Sequence, residues 1–222
     1  MKPKITLNRD LVVASALRIV DEQGLDALTV RKVADEFGAT PMALYWHFSN
    51  KEALLDAVGD AVVVSGLRVP DAGLGLEDYL REAMTSLVDA MRAHPHATPL
   101  LAHRLLTNEA GCDLTETTLD KLAVAGFDVE KSAAIAHYAM MMAMTLVTGE
   151  PGAETDVKPT DLEEAVAAKL ALLDSLPTER YPRLRAAAPA MVTCGDSDDY
   201  YGTGIGIFVA GVMADARALT SA

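Results

Sequence analysis

With 222 residues, half of them hydrophobic, the chain can bury one large core or two modest ones. The formal charge of -13 argues against a uniformly basic nucleic-acid binder, but the acid is unevenly spread: residues 1 to 68 carry 8 Lys+Arg against 9 Asp+Glu, and residues 69 to 222 carry 11 against 23. Cations in the near-neutral first part can therefore still be gathered on one face. No apolar run reaches the roughly 18 residues of a membrane span, the longest lying around Ala139 to Val147. The opening Met1-Lys2-Pro3-Lys4 has no apolar stretch behind it to mark export, so a cytoplasmic protein with no membrane contact is expected. Cys112 and Cys194 lie far apart and in no C-x-x-C pair, which reads as two reduced thiols.

Helical signals dominate and hairpin dipeptides between alternating runs are missing, which predicts an all-α fold. Asn8 caps a first helix with Leu11, Ala14, Leu17 and Val20 on one stripe, and Gly24 closes it in a left-handed cap. Thr29 caps a short second helix ending near Phe37, with Gly38 opening the turn. Thr40 caps a third, with Pro41 at its first position, where the missing N-H costs nothing. Ser49 and Glu52 form an S-x-x-E capping box for a fourth helix running to about Ser65. Pro70, Gly73 and Gly75 then mark a connection, which divides the chain into residues 1–68 and 69–222. Helices are predicted at about 76–94, 98–107, 114–125 and 129–148; at 161–176, behind a Thr160/Glu163 capping box; and at 199–219. The proline-containing stretch 177–197 reads as irregular or as a lone helical turn.

Residues 28 to 57 carry the function. Two short helices about three residues apart with Gly at the turn describe a helix-turn-helix, whose second helix can enter a major groove about 12 Å wide. Val30, Val33, Ala34, Phe37, Leu44 and Phe48 can face a core, which turns Thr40, Pro41, Met42, Tyr45, Trp46 and His47 outward. Small hydroxyl, methyl and thioether groups suit base edges, and the aromatic pair with His47 suits the sugar-phosphate backbone. Tyr45, Trp46 and His47 are consecutive, so a helix cannot bury all three.

The run Leu44-Tyr45-Trp46-His47-Phe48, followed by Asn50-Lys51-Glu52-Ala53-Leu54-Leu55, resembles the signature of the TetR family of transcriptional regulators. Leu28-Thr29-Val30-Arg31-Lys32 with Ala34 is similar to that family's second helix. The resemblance implies a helix-turn-helix unit of three helices, joined by a fourth to a larger helical ligand-binding and dimerisation domain. It implies that Thr29, Tyr45 and Lys51 meet phosphates, that Thr40, Pro41, Met42 and Trp46 or His47 lie against bases, and that Arg31 and Lys32 belong to the same surface. It also implies a repressor that leaves operator DNA when a small-molecule effector binds.

The larger part must speak through its own residues. Met140, Met141, Met142 and Met144 surround one helix with flexible side chains that suit an adaptable pocket or fill gaps in an ordinary core. Met141 and Met144, with His137 and Tyr138 as polar groups and Met91 and His103 on neighbouring helices, form the candidate effector site. His94, His96 and His103 lie close in sequence, but Pro95 separates the first two and no carboxylate or Cys completes a ligand set, so solvent-facing or capping roles are expected. Tetracycline-binding members of the family hold magnesium through a pocket histidine. No histidine here aligns with that motif, so tetracycline is not the expected effector, and no metal or cofactor is assigned. G-x-S-x-G, H-E-x-x-H and phosphate-cradling glycine patterns are absent, so no enzyme is read. The last helix carries Gly204 and Gly211 among Ile205, Phe208, Val209 and Val212, a surface that suits a closely packed partner helix. By the resemblance that helix pairs with an earlier one, here 161–176, in a two-fold contact, which gives a homodimer and a roughly palindromic operator.

Overall fold

The computed structural model describes residues 7–151 and 159–221, so the opening Met1 to Lys4 and the side chain of Thr160 lie outside the described residues. Every regular element among them is helical: α1 (Arg9–Gln23), α2 (Val30–Glu36), α3 (Pro41–Tyr45), α4 (Lys51–Gly66), α5 (Leu76–Arg92), α6 (Thr98–Arg104), α7 (Glu109–Val124), α8 (Val129–Thr148), α9 (Pro159–Asp174), α10 (Pro182–Val192) and α11 (Ser197–Thr220). Short 3-10 turns follow α1 and α5.

Asn8 caps α1 by accepting from the Leu11 N–H at 2.7 Å, and Gly24 ends it at φ +80°, where a side chain would be strained. The buried stripe of α1 is Val12, Val13, Ala16, Ile19 and Val20. Leu11 is exposed, and so is Ala14, so the stripe expected through Leu11, Ala14 and Leu17 is rotated away from the core. Spacings of three drift round a helix of 3.6 residues per turn, whereas the 12–16–19/20 spacing keeps one face.

Several termini differ from the sequence reading. The cap of α4 is Asn50, not Ser49: its Oδ1 accepts from the Ala53 N–H at 2.7 Å. Thr40 holds the N-cap place of α3, but its hydroxyl makes no capping bond. α7 begins at Glu109 rather than 114, capped by Asn108, and α9 begins at Pro159, which puts Thr160 inside it. α10 occupies part of the stretch read as irregular; Pro182 at its start costs nothing, and Pro189 forfeits a single backbone bond.

α5 is the central strut, packed against α4, α7, α8 and α11, and α4 reaches it from α1. One hydrophobic cluster runs without a break from Val12 in α1 through Val58 and Val62 in α4 to Ala216 in α11. α4 comes close to its neighbours through two glycines: a Cβ at Gly59 would lie 2.6 Å from Arg104 Cγ, and one at Gly66 would lie 2.8 Å from Ala90 Cβ. α9 and α10 pack on each other, apart from the main bundle. Among the described residues α11 alone is long and apolar enough to cross a membrane, by length and composition. It spends one stripe of that apolar surface, Tyr201, Ile205, Val209, Val212 and Ala216, in the packed core.

Gly111 sits in the first turns of α7 with its Cα against the backbone carbonyl of Leu105, where an added methyl group would overlap the oxygen. Gly to Ala ordinarily stabilises a helix interior by up to about 1 kcal/mol. Here Gly111→Ala should instead destabilise by about 1–3 kcal/mol, because backbone cannot yield cheaply. Thermal unfolding followed by far-UV circular dichroism checks the sign, and an unchanged or higher Tm would show that α7 does not rest on Leu105.

Candidate nucleic-acid interface and ligand cavity

The helix-turn-helix is built by burial of one side of two very short helices. Thr29 Oγ1 accepts from the Lys32 N–H at 3.1 Å and starts α2, whose Val33 and Ala34 are buried. Gly38, at φ +60°, makes the turn to α3. Leu44 is the buried residue of α3 and Phe48 follows it into the core. With those two turned inward, Thr40, Pro41, Met42, Tyr45, Trp46 and His47 are all exposed, as the sequence pattern requires. Trp46 is 87% exposed and Met42 69% exposed, a large apolar surface to leave in water. α3 is shorter than expected: Trp46 and His47 lie in the turn after Tyr45.

The cations are partly committed within the chain. Arg18 bonds Glu22 and Glu36, and Ser15 also bonds Glu36, which ties α2 to α1. Burial works against the Glu36 carboxylate, but the hydrogen bonds from Arg18 and Ser15 outweigh it and hold its pKa below the ordinary range. Arg31 is exposed beside Asp35 at 4.0 Å, and Lys32 reaches Gln23. Lys51 is the first residue of α4, beside the Asn50 cap, at the edge of the α3 surface. Thr29 caps α2, Arg31 and Lys32 lie in its first turn, and Lys51 opens α4.

Helix α6 links this unit to the rest. Arg104 donates to Asp60 of α4 at 2.9 and 3.2 Å and lies 3.7 Å from Asp56, and Asn108 donates to Asp60 at 3.2 Å. The Asp60 hydrogen bond raises the Arg104 pKa further and keeps the guanidinium charged. His94 Nδ1 lies 2.9 Å from Asp21 of α1, and His96 Nδ1 lies 3.0 Å from the Val20 carbonyl oxygen, so both histidines serve the contact with α1. Among the described residues no group of three or more His, Cys, Asp or Glu is placed to hold a metal.

Behind α6, a cavity of about 360 Å³ opens between α6, α7 and α8, lined by Ala102, Leu106, Leu119 and His137 among others. It shares Leu105, Thr115, Ala136 and Met140 with a smaller inner hollow of about 30 Å³ that reaches Met84 and Thr118. Of the six candidate effector residues only His137 lines these spaces. Met91 is wholly buried in the core and Met144 packs against it, whereas His103, Tyr138 and Met141 are exposed. The four methionines surround α8, and the face that looks into the cavity is that of Ala133, Ala136, His137 and Met140. Thr115 and Leu119, four apart on α7, were the unread counterpart of that face.

Comparison with known proteins agrees with this geometry. Residues 12–58 match the family model of bacterial regulatory proteins, tetR family, and residues 69–216 match that of the tetracyclin repressor-like C-terminal domain. An HTH-type transcriptional regulator of Saccharopolyspora erythraea is 30% identical, over 97% of this chain and 88% of its own length. The class D tetracycline repressor of Escherichia coli is 31% identical over 72% of this chain and 78% of its own. The crystal structure of the Streptomyces coelicolor TetR family protein ActR in complex with actinorhodin superposes with a TM-score of 0.75, at 27% identity, covering 95% of this chain and 98% of that one. A helix-turn-helix with its outward face intact, set on a helical bundle with a cavity, and two family models that together span most of the sequence place this chain in the TetR family of bacterial regulatory proteins.

Proposed function

We propose that this ligand-responsive DNA-binding repressor grips operator DNA with the outward face of α3, the start of α2 and the start of α4, and that it does so as a homodimer in the cytoplasm. The observation that carries the reading is the exposed set Met42 and Tyr45 on a helix anchored by Leu44, with Trp46 in the turn that follows, since a chain has no internal use for so much exposed apolar surface. Thr40, whose hydroxyl is not spent on its own helix, and Met42 meet base edges. Tyr45, Thr29 and Lys51 meet phosphates, with Arg31 and Lys32 beside them and Pro41, Trp46 and His47 completing the surface.

The dimer contact proposed here uses α8 with α11, not α9. α9 packs on α10, whereas α8 and α11 run antiparallel side by side: Lys131 pairs with Asp215 at 2.8 Å, and Gly204 lets α11 approach Leu146. Their outer surface keeps Tyr138 at 64% and Ile207 at 65% exposure, and Gly211 opens onto space that a partner helix can enter. A two-fold contact there sets the two α3 helices about 34–36 Å apart, one turn of the duplex, and requires a roughly palindromic operator. The effector is a small molecule held in the cavity between α6, α7 and α8; the actinorhodin complex of the Streptomyces coelicolor protein supports a small-molecule ligand for a domain of this shape.

Lys51→Ala should weaken binding on all operator variants alike and lower the slope of log K against log salt by about 0.9, because a phosphate contact positions without specifying. Titrations over a salt series check this; a mutant with altered sequence preference and an unchanged slope would remove Lys51 from the phosphate set. Gly211→Leu should split the dimer or weaken it by about 1–3 kcal/mol through overpacking. Sedimentation equilibrium decides: an unaltered dimer takes Gly211 out of the contact, and a monomeric wild type ends the dimer reading.

A further inference from the structure

The lining of the cavity restricts what can bind in it, on the reading that this cavity is the effector site. The side chains of the outer and inner hollows carry no carboxylate, ammonium or guanidinium group, and the titratable residue lining them, His137, is exposed at the mouth. A charged group carried inward loses its water and finds no counter-ion, so charge is selected against there.

The hydroxyls inside have a definite polarity. Thr115 Oγ1 donates to the Gly111 carbonyl at 2.8 Å and Thr118 Oγ1 donates to the Leu114 carbonyl at 2.7 Å, so each has committed its hydrogen to its own helix. The buried Tyr79 hydroxyl also donates to the Leu114 carbonyl, at 3.4 Å. Thr115, half-buried, lines both hollows and has acceptor lone pairs remaining. A ligand carbonyl placed there would face oxygen with no hydrogen between them, whereas a hydroxyl or N–H would be satisfied.

We infer that the effector is an uncharged, largely apolar compound that presents a hydroxyl or N–H donor to Thr115 where the two hollows meet, and leaves any further polar group at the His137 mouth. A metal chelate or an organic anion does not suit this lining.

Three naphthalene probes separate the elements of the inference: 2-naphthol supplies a neutral donor, 2-methoxynaphthalene blocks the donor, and 2-naphthoate supplies an anion. Calorimetric titration of the full-length protein at neutral pH should give one 2-naphthol per chain, bound at least about tenfold more tightly than 2-naphthoate. Thr115→Val keeps the shape and removes the acceptor, and should weaken 2-naphthol about three- to tenfold while leaving 2-methoxynaphthalene within about twofold. Binding of 2-naphthoate as tight as 2-naphthol, equal effects of Thr115→Val on the naphthol and its ether, or no binding of 2-naphthol to the wild type would each overturn the inference. The location is tested apart from the chemistry. Ala136→Phe fills the junction of the hollows, and Ala133→Trp, at an exposed rim position that folding tolerates, blocks the mouth. Retention of 2-naphthol by folded Ala136→Phe and Ala133→Trp proteins would overturn the cavity as the effector site itself.

Discussion

The close crossing of α4 over α5 and α6 is the contact on which the remainder depends. Gly59 and Gly66 bring the α4 backbone against Arg104 and Ala90, and the Arg104–Asp60 pair, with Asn108, fixes the register of the crossing. α4 begins at Asn50 and Lys51, directly after the turn that follows α3, and ends against α5, so it belongs at once to the helix-turn-helix unit and to the bundle. A helix of this length spans roughly 24 Å at about 1.5 Å per residue, so each 5° of tilt about its Gly66 end moves Lys51 by about 2 Å. Two such displacements in a dimer are enough to spoil the spacing of a pair of recognition helices, although each helix-turn-helix stays intact.

Charge distribution serves the same arrangement. The excess acid lies beyond residue 68, where it repels phosphate, while Arg18 is consumed inside the first unit by Glu22 and Glu36. On the proposed reading, the surface offered to DNA is made of hydroxyls, a thioether and aromatic rings, with a few cations at its edges. Such a surface depends on shape and base-edge contacts more than on counterion release, which favours discrimination among sequences over indiscriminate binding.

The helix-turn-helix was legible because its rules are local. Thr29 at a cap, Gly38 at a turn and Leu44 four residues before Phe48 fix which side chains face outward, without reference to the remaining chain. The cavity was not legible, because it arises where three helices meet. The methionines encircle α8, and nothing in their spacing says that Met140 faces the hollow while Met141 faces outward. Gly111 shows the same limit. In sequence nothing marks it as a contact and the expected helix starts only at 114, whereas in space it is what lets α7, from Glu109, settle on the Leu105 carbonyl. The two glycines of the last helix, alike in sequence, differ in space: Gly211 opens onto free space, whereas Gly204 is spent on Leu146 within the chain.

The seven-residue α6 joins these observations. Its Ala102, and Leu105 just beyond it, line the cavity, while Leu100 and Arg104 meet α4 at Gly59 and Asp60. A helix of two turns, capped at its start by no side chain, is held mainly by what touches its two faces. On the proposed reading, a ligand that fills the cavity competes with α4 for the position of α6. To lower operator affinity tenfold, it must favour the displaced arrangement by about 1.4 kcal/mol, comparable to the worth of one charge-assisted hydrogen bond such as those Arg104 makes to Asp60. By the same linkage operator DNA, in holding α4, must loosen the ligand by the same factor. Because the exchange is carried by one short helix with a polar clamp on one side and an apolar hollow on the other, ligand response can be altered at Thr115 or Met140 without touching any group that meets DNA.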